Sequence, residues 1–268
     1  MEISRGQQMR KQARAGAARI RFQAPLERLH GWVLVGLGIG GATRPIATNG
    51  EASFLAEWAS TCPAGPVICL DVGANEGLYT QELIRVLGPR AKVHAFEPAR
   101  ATFDRLSARL GSVSSVELHR IALGNAIGEL ELSSVAGRSQ VASLYRPAGA
   151  VGSTVTRERV DVATLDSWAS GNGCTHIDLL KIDVEGAEFD VLSGAKGLLE
   201  AGSIDVIQFE YGAQNLYSGA NMSDICDLLG PGYSIFRMVI DGLVPVYPGT
   251  ALFELPISAT NYVARRMR

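Results

Sequence analysis

Four acidic residues stand at the ends of short apolar runs in the sequence. They are Asp71, Glu97, Asp183 and Glu210. Short apolar runs bounded by helical patterns are typical of buried parallel strands. Ligands of an open α/β sheet bind beyond the carboxyl ends of its strands. One acid at such an end is unremarkable, but four at the same edge predict a polar rim that binds a ligand.

The first run continues into the loop Asp71-Val-Gly-Ala-Asn-Glu-Gly77. Its two glycines allow a sharp turn and let a ligand approach the backbone closely. The dinucleotide pattern G-x-G-x-x-G is absent: counted from Gly73, Asn75 replaces the second glycine and Leu78 the third. An acid at position 71 also suits a pyrophosphate poorly. Besides an ordinary strand-to-helix turn, the loop predicts a site for S-adenosylmethionine (SAM), which carries an ammonium and a sulfonium and has no phosphate.

Glu97 lies about one βα unit after this loop. A carboxylate at the end of the second strand can accept hydrogen bonds from both ribose hydroxyls of an adenosine. Glu97 alone fits NAD as well as SAM. The alternative is that Glu97 is a solvated acid at the end of a strand and binds no cofactor. The pair Asp71 and Glu97 favours SAM.

Lys181, Asp183 and Glu185 alternate, so in a continuing strand they point to one side. A lysine inside a buried strand is costly unless it is paired, and Asp183 or Glu185 could pair with it. One interpretation is a buried ion pair that shapes the strand exit. The interpretation we favour places Asp183 beside the transferred methyl group, where it orients or deprotonates an acceptor hydroxyl.

Glu210 closes the next predicted strand, so Asp183 and Glu210 could flank one site. An alcohol is a weak nucleophile at neutral pH, so a base helps the transfer. Asp183 is the first candidate for this base and Glu210 the second, while Lys181 would position Asp183. The two carboxylates could hold magnesium or calcium. Two protein ligands are few for such an ion, however, so we expect no metal.

The elements that would position these residues follow a repeating βα pattern. Strands are predicted near 67–72, 92–97, 116–121, 177–183 and 204–210, with closing strands near 233–238, 243–246 and 261–264. Helices are predicted from about residue 49, where Thr48 to Glu51 has a capping-box pattern, and at 78–87, 98–110, 187–200 and 223–229. Residues 122–163 break the rhythm and predict an inserted hairpin or loop region. The alternation indicates a mostly parallel sheet with helices on both faces.

Several motifs give the sequence a family resemblance. They are Asp71 to Thr80, Phe96-Glu-Pro98, Ala122-Leu-Gly124, Thr164-Leu-Asp166 and, as the most specific, Leu180-Lys-Ile-Asp-Val-Glu-Gly-Ala-Glu188. From about residue 48 onward the chain resembles the FkbM-type SAM-dependent methyltransferases. The resemblance implies a class I methyltransferase (Rossmann-like) fold: a seven-stranded, mostly parallel sheet whose last strand is antiparallel, here with a β-rich insertion. It also implies methylation of hydroxyl oxygens on sugars, glycans or secondary metabolites.

Together the loop, the strand ends and the resemblance define a set of expected cofactor contacts. They are Asp71, Gly73, Asn75, Gly77, Glu97, Pro98 and Asp183. The acceptor, a small molecule or a glycan, should be selected by loops at 125–163, 211–222 and 240–258. An NAD-dependent oxidoreductase and a non-catalytic binding module of the same fold remain alternatives.

Residues 1–47 form a predicted extension before a domain at 48–268. Residues 1–30 carry seven basic and two acidic side chains, a net charge of +5. The apolar stretch 31–42 is too short to span a bilayer, which needs roughly 20 residues. A solvated basic arm with a segment packed on the domain is the first interpretation. Weak peripheral contact with an anionic membrane and a cleaved signal peptide are the others.

The overall composition adds few constraints. The net charge of the chain is −2, and its basic residues cluster only in the arm, so we expect no nucleic-acid partner. The four cysteines lack C-x-x-C spacing, which favours a reducing cytoplasm. His94, His119 and His176 lie in or next to strands and are expected to be packed or hydrogen-bonded residues rather than bases.

Overall fold

The computed structural model of the chain describes residues 22–42, 44–135, 138–143, 155–247 and 258–267. Its strands are β1 (Val67–Val72), β2 (Ala91–Phe96), β3 (Val116–His119), β4 (Ala122–Leu123), β5 (Gly128–Val135), β6 (Arg138–Ser143), β7 (Val155–Ala163), β8 (Ile177–Ile182), β9 (Ile204–Tyr211), β10 (Tyr233–Val239), β11 (Gly242–Pro245) and β12 (Thr260–Arg266). Its α-helices are α1 (Gln23–Gly36), α2 (Glu51–Thr61), α3 (Leu78–Leu87), α4 (Arg100–Leu110), α5 (Leu165–Gly171), α6 (Glu188–Ser193), α7 (Lys196–Glu200), α8 (Asn215–Ser218) and α9 (Met222–Leu229).

Eight strands form the main sheet in the order β11-β10-β12-β9-β8-β1-β2-β3. Neighbouring strands from β9 to β3 are parallel, whereas β12 is antiparallel to both of its neighbours. The predicted seven-stranded, mostly parallel sheet is therefore confirmed, and β11 adds an eighth strand at one edge. β1 lies between β2 and β8. The chain therefore continues from β1 to β2 on one side of β1, and later adds β8 on its other side. Such a switch point is the usual ligand site of this architecture.

Helices cover both faces of this sheet. On one face, α2 and α3 pack Leu55 and Leu83 against a cluster that includes Leu179. On the other face, α5, α6 and α9 contribute to a larger cluster that includes Leu180 and Ile225. Leu179 and Leu180 are successive residues of β8, and successive side chains of a strand point to opposite faces. The continuous apolar runs of the sequence thus correspond to strands that are buried on both sides.

Residues 122–163 build a second sheet in the order β4-β7-β5-β6. β5 and β7 pair antiparallel, beginning with Gly128 opposite Val162. A small core formed by Ala99, Ala122, Leu132, Val160 and Val162 joins this sheet to the start of α4. The β-rich insertion is confirmed where the structure describes it, and residues 136–137 and 144–154 lie outside the described part.

The predicted capping box at the start of α2 is wrong, although the helix begins close to the expected position. Thr48 Oγ1 donates to the Pro45 carbonyl at 3.1 Å instead of capping the helix. Gly50 occupies the N-cap position with φ +97°. A β-carbon on Gly50 would lie 2.3 Å from the Val239 carbonyl oxygen. Close packing against β10 therefore determines this helix start, and a local sequence pattern does not reveal such a contact.

Helix α1 has no buried residue. The chain beyond it returns to the domain: Ile39 is buried, and the Gly40 N–H donates to Thr260 Oγ1 at 3.2 Å. Of the apolar stretch 31–42, the first half therefore lies in an exposed helix and the second half packs on the domain. Residues 1–21 of the predicted arm lie outside the described residues. No helix in the described part of the chain is both long and apolar enough to cross a membrane.

Candidate active site

A cavity of about 640 Å³ opens at the carboxyl ends of the central strands. This volume is within the range of about 300–1,000 Å³ found for small-molecule and cofactor sites. The predicted site residues that line it are Asp71, Gly73, Asn75, Glu97, Pro98, Lys181, Asp183 and Glu210. The four strand-end acids therefore meet around one cavity, as parallel strands with their carboxyl ends at one edge require.

The loop after β1 is held between the two neighbouring strands. The N–H groups of Gly73 and Ala74 donate to the Phe96 carbonyl at 3.0 and 2.9 Å. Gly73 has φ +81°, and a β-carbon there would lie 1.8 Å from the Asp183 carbonyl oxygen. Asn75 also adopts a left-handed conformation, with φ +50°. Glycine at position 73 is thus required because the backbones of β1 and β8 approach each other at the cavity.

Gly77 was predicted as a cofactor contact, but it does not line the cavity. Its φ is +82°, and a β-carbon there would lie 2.6 Å from Leu110 Cδ1 and 2.7 Å from Leu106 Cδ1. The space beside Gly77 is filled by α4. This glycine therefore allows the start of α3 to pack against α4, and its role in the structure is packing.

Asp71 is completely buried beneath the cavity. Its Oδ2 accepts a hydrogen bond from Thr80 Oγ1 at 2.6 Å. Its Oδ1 is buried and has no hydrogen-bond partner among the described residues. Burial raises the pKa of Asp71, and the nearby Lys181 ammonium opposes this rise. A buried acceptor oxygen of this kind is suited to a ligand or a water molecule that donates a hydrogen bond.

Glu97 is held by backbone groups on both sides. Its Oε2 accepts from the Asn75 N–H at 3.1 Å, and its Oε1 accepts from the Ala99 N–H at 2.9 Å. Each carboxylate oxygen has two lone-pair directions, so each retains capacity for a second donor. Burial raises the pKa of Glu97 to about 7, although the two backbone donors oppose the shift.

Lys181 and Asp183 form an ion pair at the end of β8, with Lys181 Nζ 2.8 Å from Asp183 Oδ2. Lys181 is buried, whereas the Asp183 side chain retains 36% of its accessible surface. Of the two partners that the sequence allowed for Lys181, the structure therefore selects Asp183. The lysine orients the carboxylate, and the carboxylate faces the cavity.

A buried hydrogen-bonded network behind the cavity was not predicted as a unit. Gln208 Nε2 donates to Glu51 Oε1 at 2.6 Å, and the Tyr79 hydroxyl donates to Gln208 Oε1 at 2.6 Å. Asn49 Nδ2 donates to Glu51 Oε2 at 2.7 Å. The network links α2, α3 and β9 around Lys181. The polar residue Gln208 within an apolar strand was the one sequence signal for it.

Glu188 is a second feature that the sequence motif contained without revealing its role. Its Oε1 accepts from the N–H groups of Val184 and Gly186, both at 3.1 Å. Its Oε2 accepts from Asn215 Nδ2 at 2.6 Å. Glu188 is buried, and burial raises its pKa to about 7. It fixes the loop that follows Asp183 and ties this loop to α8.

Two further acids line the cavity beside Asp183. Glu210 follows Phe209, which pairs with Ile182, so Glu210 and Asp183 leave adjacent strands at the same level. Burial raises the pKa of Glu210 well above its usual range, and the charge of Asp183 adds to the shift. Burial likewise raises the pKa of Glu185 to about 7. Burial and the neighbouring carboxylates therefore disfavour the ionised form of Glu210.

The histidines lie outside the cavity lining. His94 Nδ1 and His119 Nε2 are 3.2 Å apart, and the rings pack against Phe96 and Trp168. Burial lowers the pKa of both. The groups of described residues that could hold a metal are His94, Glu117 and His119, and His176, Asp178 and Asp205. Asp183 and Glu210 belong to neither group.

The sequence profile of the methyltransferase FkbM domain matches residues 71–235. The 2-O-methyltransferase NoeI of Sinorhizobium fredii is 30% identical over 176 residues, which cover 61% of this chain and 71% of NoeI. Methyltransferase sdnD of Sordaria araneosa is 34% identical over 160 residues, which cover 49% of this chain and 61% of sdnD. Among solved structures, methyltransferase FkbM from Methylobacillus flagellatus KT is 16% identical with a TM-score of 0.48. That similarity covers 79% of this chain and 47% of the other.

The profile match covers more than half of the chain. The similarity to NoeI extends over more than two thirds of NoeI, and the chain spans about half of the Methylobacillus protein. The chain therefore belongs to the methyltransferase FkbM domain family.

Proposed function

We propose that the protein transfers the methyl group of SAM to a hydroxyl oxygen on a sugar, a glycan or a secondary metabolite. The observation that carries the proposal is the meeting of two pairs of acids, Asp71 with Glu97 and Asp183 with Glu210, around one cavity. The first pair suits the cofactor and the second suits the acceptor. Family membership supports methyl transfer, and the name 2-O-methyltransferase of the relative from Sinorhizobium supports oxygen as the acceptor atom.

The residues on the β1–β2 side of the cavity fit SAM. Asp71 Oδ1 is a buried acceptor without a partner in the described part of the chain, so it suits an ammonium group or a water molecule bound to one. Glu97 retains one lone pair on each oxygen for the two ribose hydroxyls. Pro98 and Asn75 complete this side of the lining. When bound, SAM supplies a methyl group that a positively charged sulfur has already activated.

The residues on the β8–β9 side would hold and activate the acceptor. Asp183 would accept the proton of the reacting hydroxyl, and Lys181 keeps its carboxylate oriented. Glu210, which also lines the cavity, would form a hydrogen bond with a second oxygen of the acceptor. A positioned base typically contributes about 10²–10⁴-fold to a rate.

The acids on this side also restrict the class of acceptor. Asp183, Glu185 and Glu210 line the cavity together with Gln214. Hydroxyl groups donate hydrogen bonds to carboxylates, whereas phosphate groups are repelled by them. Leu132, from the inserted sheet, adds an apolar surface. This lining favours an uncharged, hydroxyl-rich acceptor over an anionic one.

The experiment that tests the proposal compares glycans and secondary metabolites from a deletion strain with those of the parent strain by mass spectrometry. We expect one product to lack the mass of a CH₂ group in the deletion strain, and fragmentation to place the missing methyl on oxygen. The purified protein should restore it when supplied with SAM. A methyl group found on nitrogen or carbon would contradict the proposal, and binding of SAM without turnover of any acceptor would favour a binding module.

A further inference from the structure

Two histidines and a glutamate come together where β2 and β3 form one edge of the main sheet. His94 of β2 lies opposite Glu117 of β3, and Phe96 lies opposite His119. Side chains two residues apart on a strand leave the same face of the sheet, so the three polar side chains are neighbours. β3 is the edge strand of the main sheet and pairs with β2. The cluster of His94, Glu117 and His119 therefore bridges the edge strand to the next strand inward.

The possible ligand atoms of this cluster converge on one point. His94 Nδ1 lies 3.2 Å from His119 Nε2. One carboxylate oxygen of Glu117 lies 3.5 Å from His94 Nδ1, and the other lies 3.9 Å from His119 Nε2. Zinc binds imidazole nitrogens at about 2.0–2.1 Å in a tetrahedral arrangement, which places two such nitrogens roughly 3.3 Å apart. The separation of the two histidine nitrogens therefore suits a shared zinc ion.

Aromatic neighbours hold the two imidazole rings in this arrangement. The centroid of the Trp168 ring lies 4.8 Å from that of His94 and 5.5 Å from that of His119, and both contacts are edge-on. The Phe96 ring stacks on the His119 ring with the centroids 4.6 Å apart. Both histidine side chains are largely shielded from solvent, whereas the Glu117 side chain is 61% exposed. The histidine side of the cluster is therefore preformed, and an ion can enter from solvent beside Glu117.

We propose that His94, His119 and Glu117 bind one zinc ion, which fastens the edge strand β3 to β2. Two imidazoles and one carboxylate are a ligand set that suits zinc, whereas magnesium and calcium prefer ligand sets made of oxygen atoms. Three protein ligands leave a fourth position for water. None of the three residues lines the proposed active-site cavity, so the ion has a structural role. The inference does not depend on the proposed reaction.

A second group of described residues is less suited to a metal ion. Its members are His176, Asp178 and Asp205. Asp205 Oδ1 accepts two hydrogen bonds from the Arg266 guanidinium, at 2.7 and 3.0 Å. Asp178 Oδ2 accepts a hydrogen bond from the Ile68 N–H at 2.7 Å. Both carboxylates of this group are therefore already engaged, and the charge of Arg266 would repel a cation bound to Asp205.

The test measures binding of Zn²⁺ to the untagged full chain after dialysis against a chelator and its removal. Titration calorimetry should show one zinc ion per chain, and zinc should raise the melting temperature, because a ligand of the folded state stabilises that state. Co²⁺ in place of Zn²⁺ should give d–d absorption bands without the charge-transfer band of a thiolate ligand. If the two imidazole nitrogens instead share a proton, the chain will bind no zinc, and this result would overturn the proposal.

The variants His119→Gln and Glu117→Gln should each weaken zinc binding by more than tenfold, since even the loss of a group that only supports a ligand costs about 10–100-fold. Because Glu117 is exposed, its replacement tests the site without disturbing the core. The control His176→Gln removes a histidine that also lies beside two acids, and it should bind zinc as the parent does. Zinc binding that Glu117→Gln retains and His176→Gln loses would overturn the proposal and assign the ion to the second group.

Discussion

Lys181 Nζ lies 2.8 Å from Asp183 Oδ2, and this ion pair joins a buried position of β8 to the lining of the cavity. The ammonium also lies 4.9 Å from the centroid of the Tyr79 ring. Burial alone would lower the pKa of Lys181, but the carboxylates of Asp183, Glu51 and Asp71 raise it above its usual value. The lysine therefore remains charged at neutral pH, with counter-charges besides Asp183.

Glu97→Ala should weaken the binding of SAM by about 1–3 kcal/mol, the usual worth of hydrogen bonds to a charged group. Titration calorimetry would measure the affinity. Because burial raises the pKa of Glu97 to about 7, the ionised form, which accepts hydrogen bonds from ribose hydroxyls, is lost as the pH falls through 7. We therefore expect the affinity of the parent protein to rise between pH 6 and 8, and that of the variant to change less.

Glu117→Ala is the matched control for this variant, because Glu117 is an exposed acid on the neighbouring strand β3. It should bind SAM as the parent does. NAD should show no binding in the same calorimetric titration. An unchanged SAM affinity for Glu97→Ala would remove Glu97 from the site, and NAD binding tighter than SAM would contradict the cofactor assignment.

Glu188→Gln should make stability less dependent on pH. The pKa of Glu188 is about 7 in the folded protein and about 4.5 as the ordinary value. A raised carboxyl pKa gives stability that is fully present below the unfolded-state pKa and is lost as the pH rises through 7. The variant should remove about 1 kcal/mol per pH unit from the slope of the unfolding free energy between pH 5 and 7.

Denaturant titrations at several pH values would measure this slope. Glu200→Gln is a suitable control, because the Glu200 side chain is 69% exposed. This substitution should leave the slope of the unfolding free energy unchanged. If Glu188→Gln has the same slope as the parent protein, the buried Glu188 carboxyl is not the group that titrates in this range.

The βα rhythm could be predicted from the sequence because strands buried on both faces have continuous apolar runs. The third strand was predicted to extend to residue 121, but β3 ends at His119. The next strand, β4, begins at Ala122 and belongs to the separate sheet. Strand-end acids could also be predicted to meet, since parallel strands place their carboxyl ends together. These are properties of short segments and of the repeating order of the elements.

Contacts between distant segments could not be predicted in this way. Gln208 is 157 residues from Glu51 and 129 residues from Tyr79, yet it bonds to both. Gly77 and Gly73 have the same residue type and similar φ angles, but the first faces α4 and the second faces β8. Only the packed neighbours distinguish a glycine that permits packing from one beside a ligand site.

Activity should survive removal of metal ions by a chelator. Among the described residues, Asp183 and Glu210 are not part of a group of three or more candidate ligands, and the Lys181 ammonium already binds Asp183 Oδ2. Turnover measured after dialysis against EDTA should equal that of the untreated protein. Loss of turnover that magnesium restores would show that a metal takes part.

The variant Asp183→Asn distinguishes a role of Asp183 in the reaction from a structural role as the partner of Lys181. The change is nearly isosteric and removes the charge, but an amide oxygen can still accept the hydrogen bond from Lys181. Glu51 and Asp71 remain close enough to balance the ammonium. We therefore expect turnover to fall by about 10²-fold or more, with little change in melting temperature or SAM affinity.

Asp205→Asn is a closely matched control for this experiment. Asp205 pairs with Arg266 at 2.7 Å, and its side chain is 36% exposed, as is that of Asp183. It lies at the opposite end of β9 from Glu210, so its loss should leave turnover unchanged. If Asp183→Asn instead lowers stability by about 3–5 kcal/mol and activity falls alongside, Asp183 is a structural partner of Lys181. Normal turnover would exclude both roles and make Glu210 the next candidate for the base.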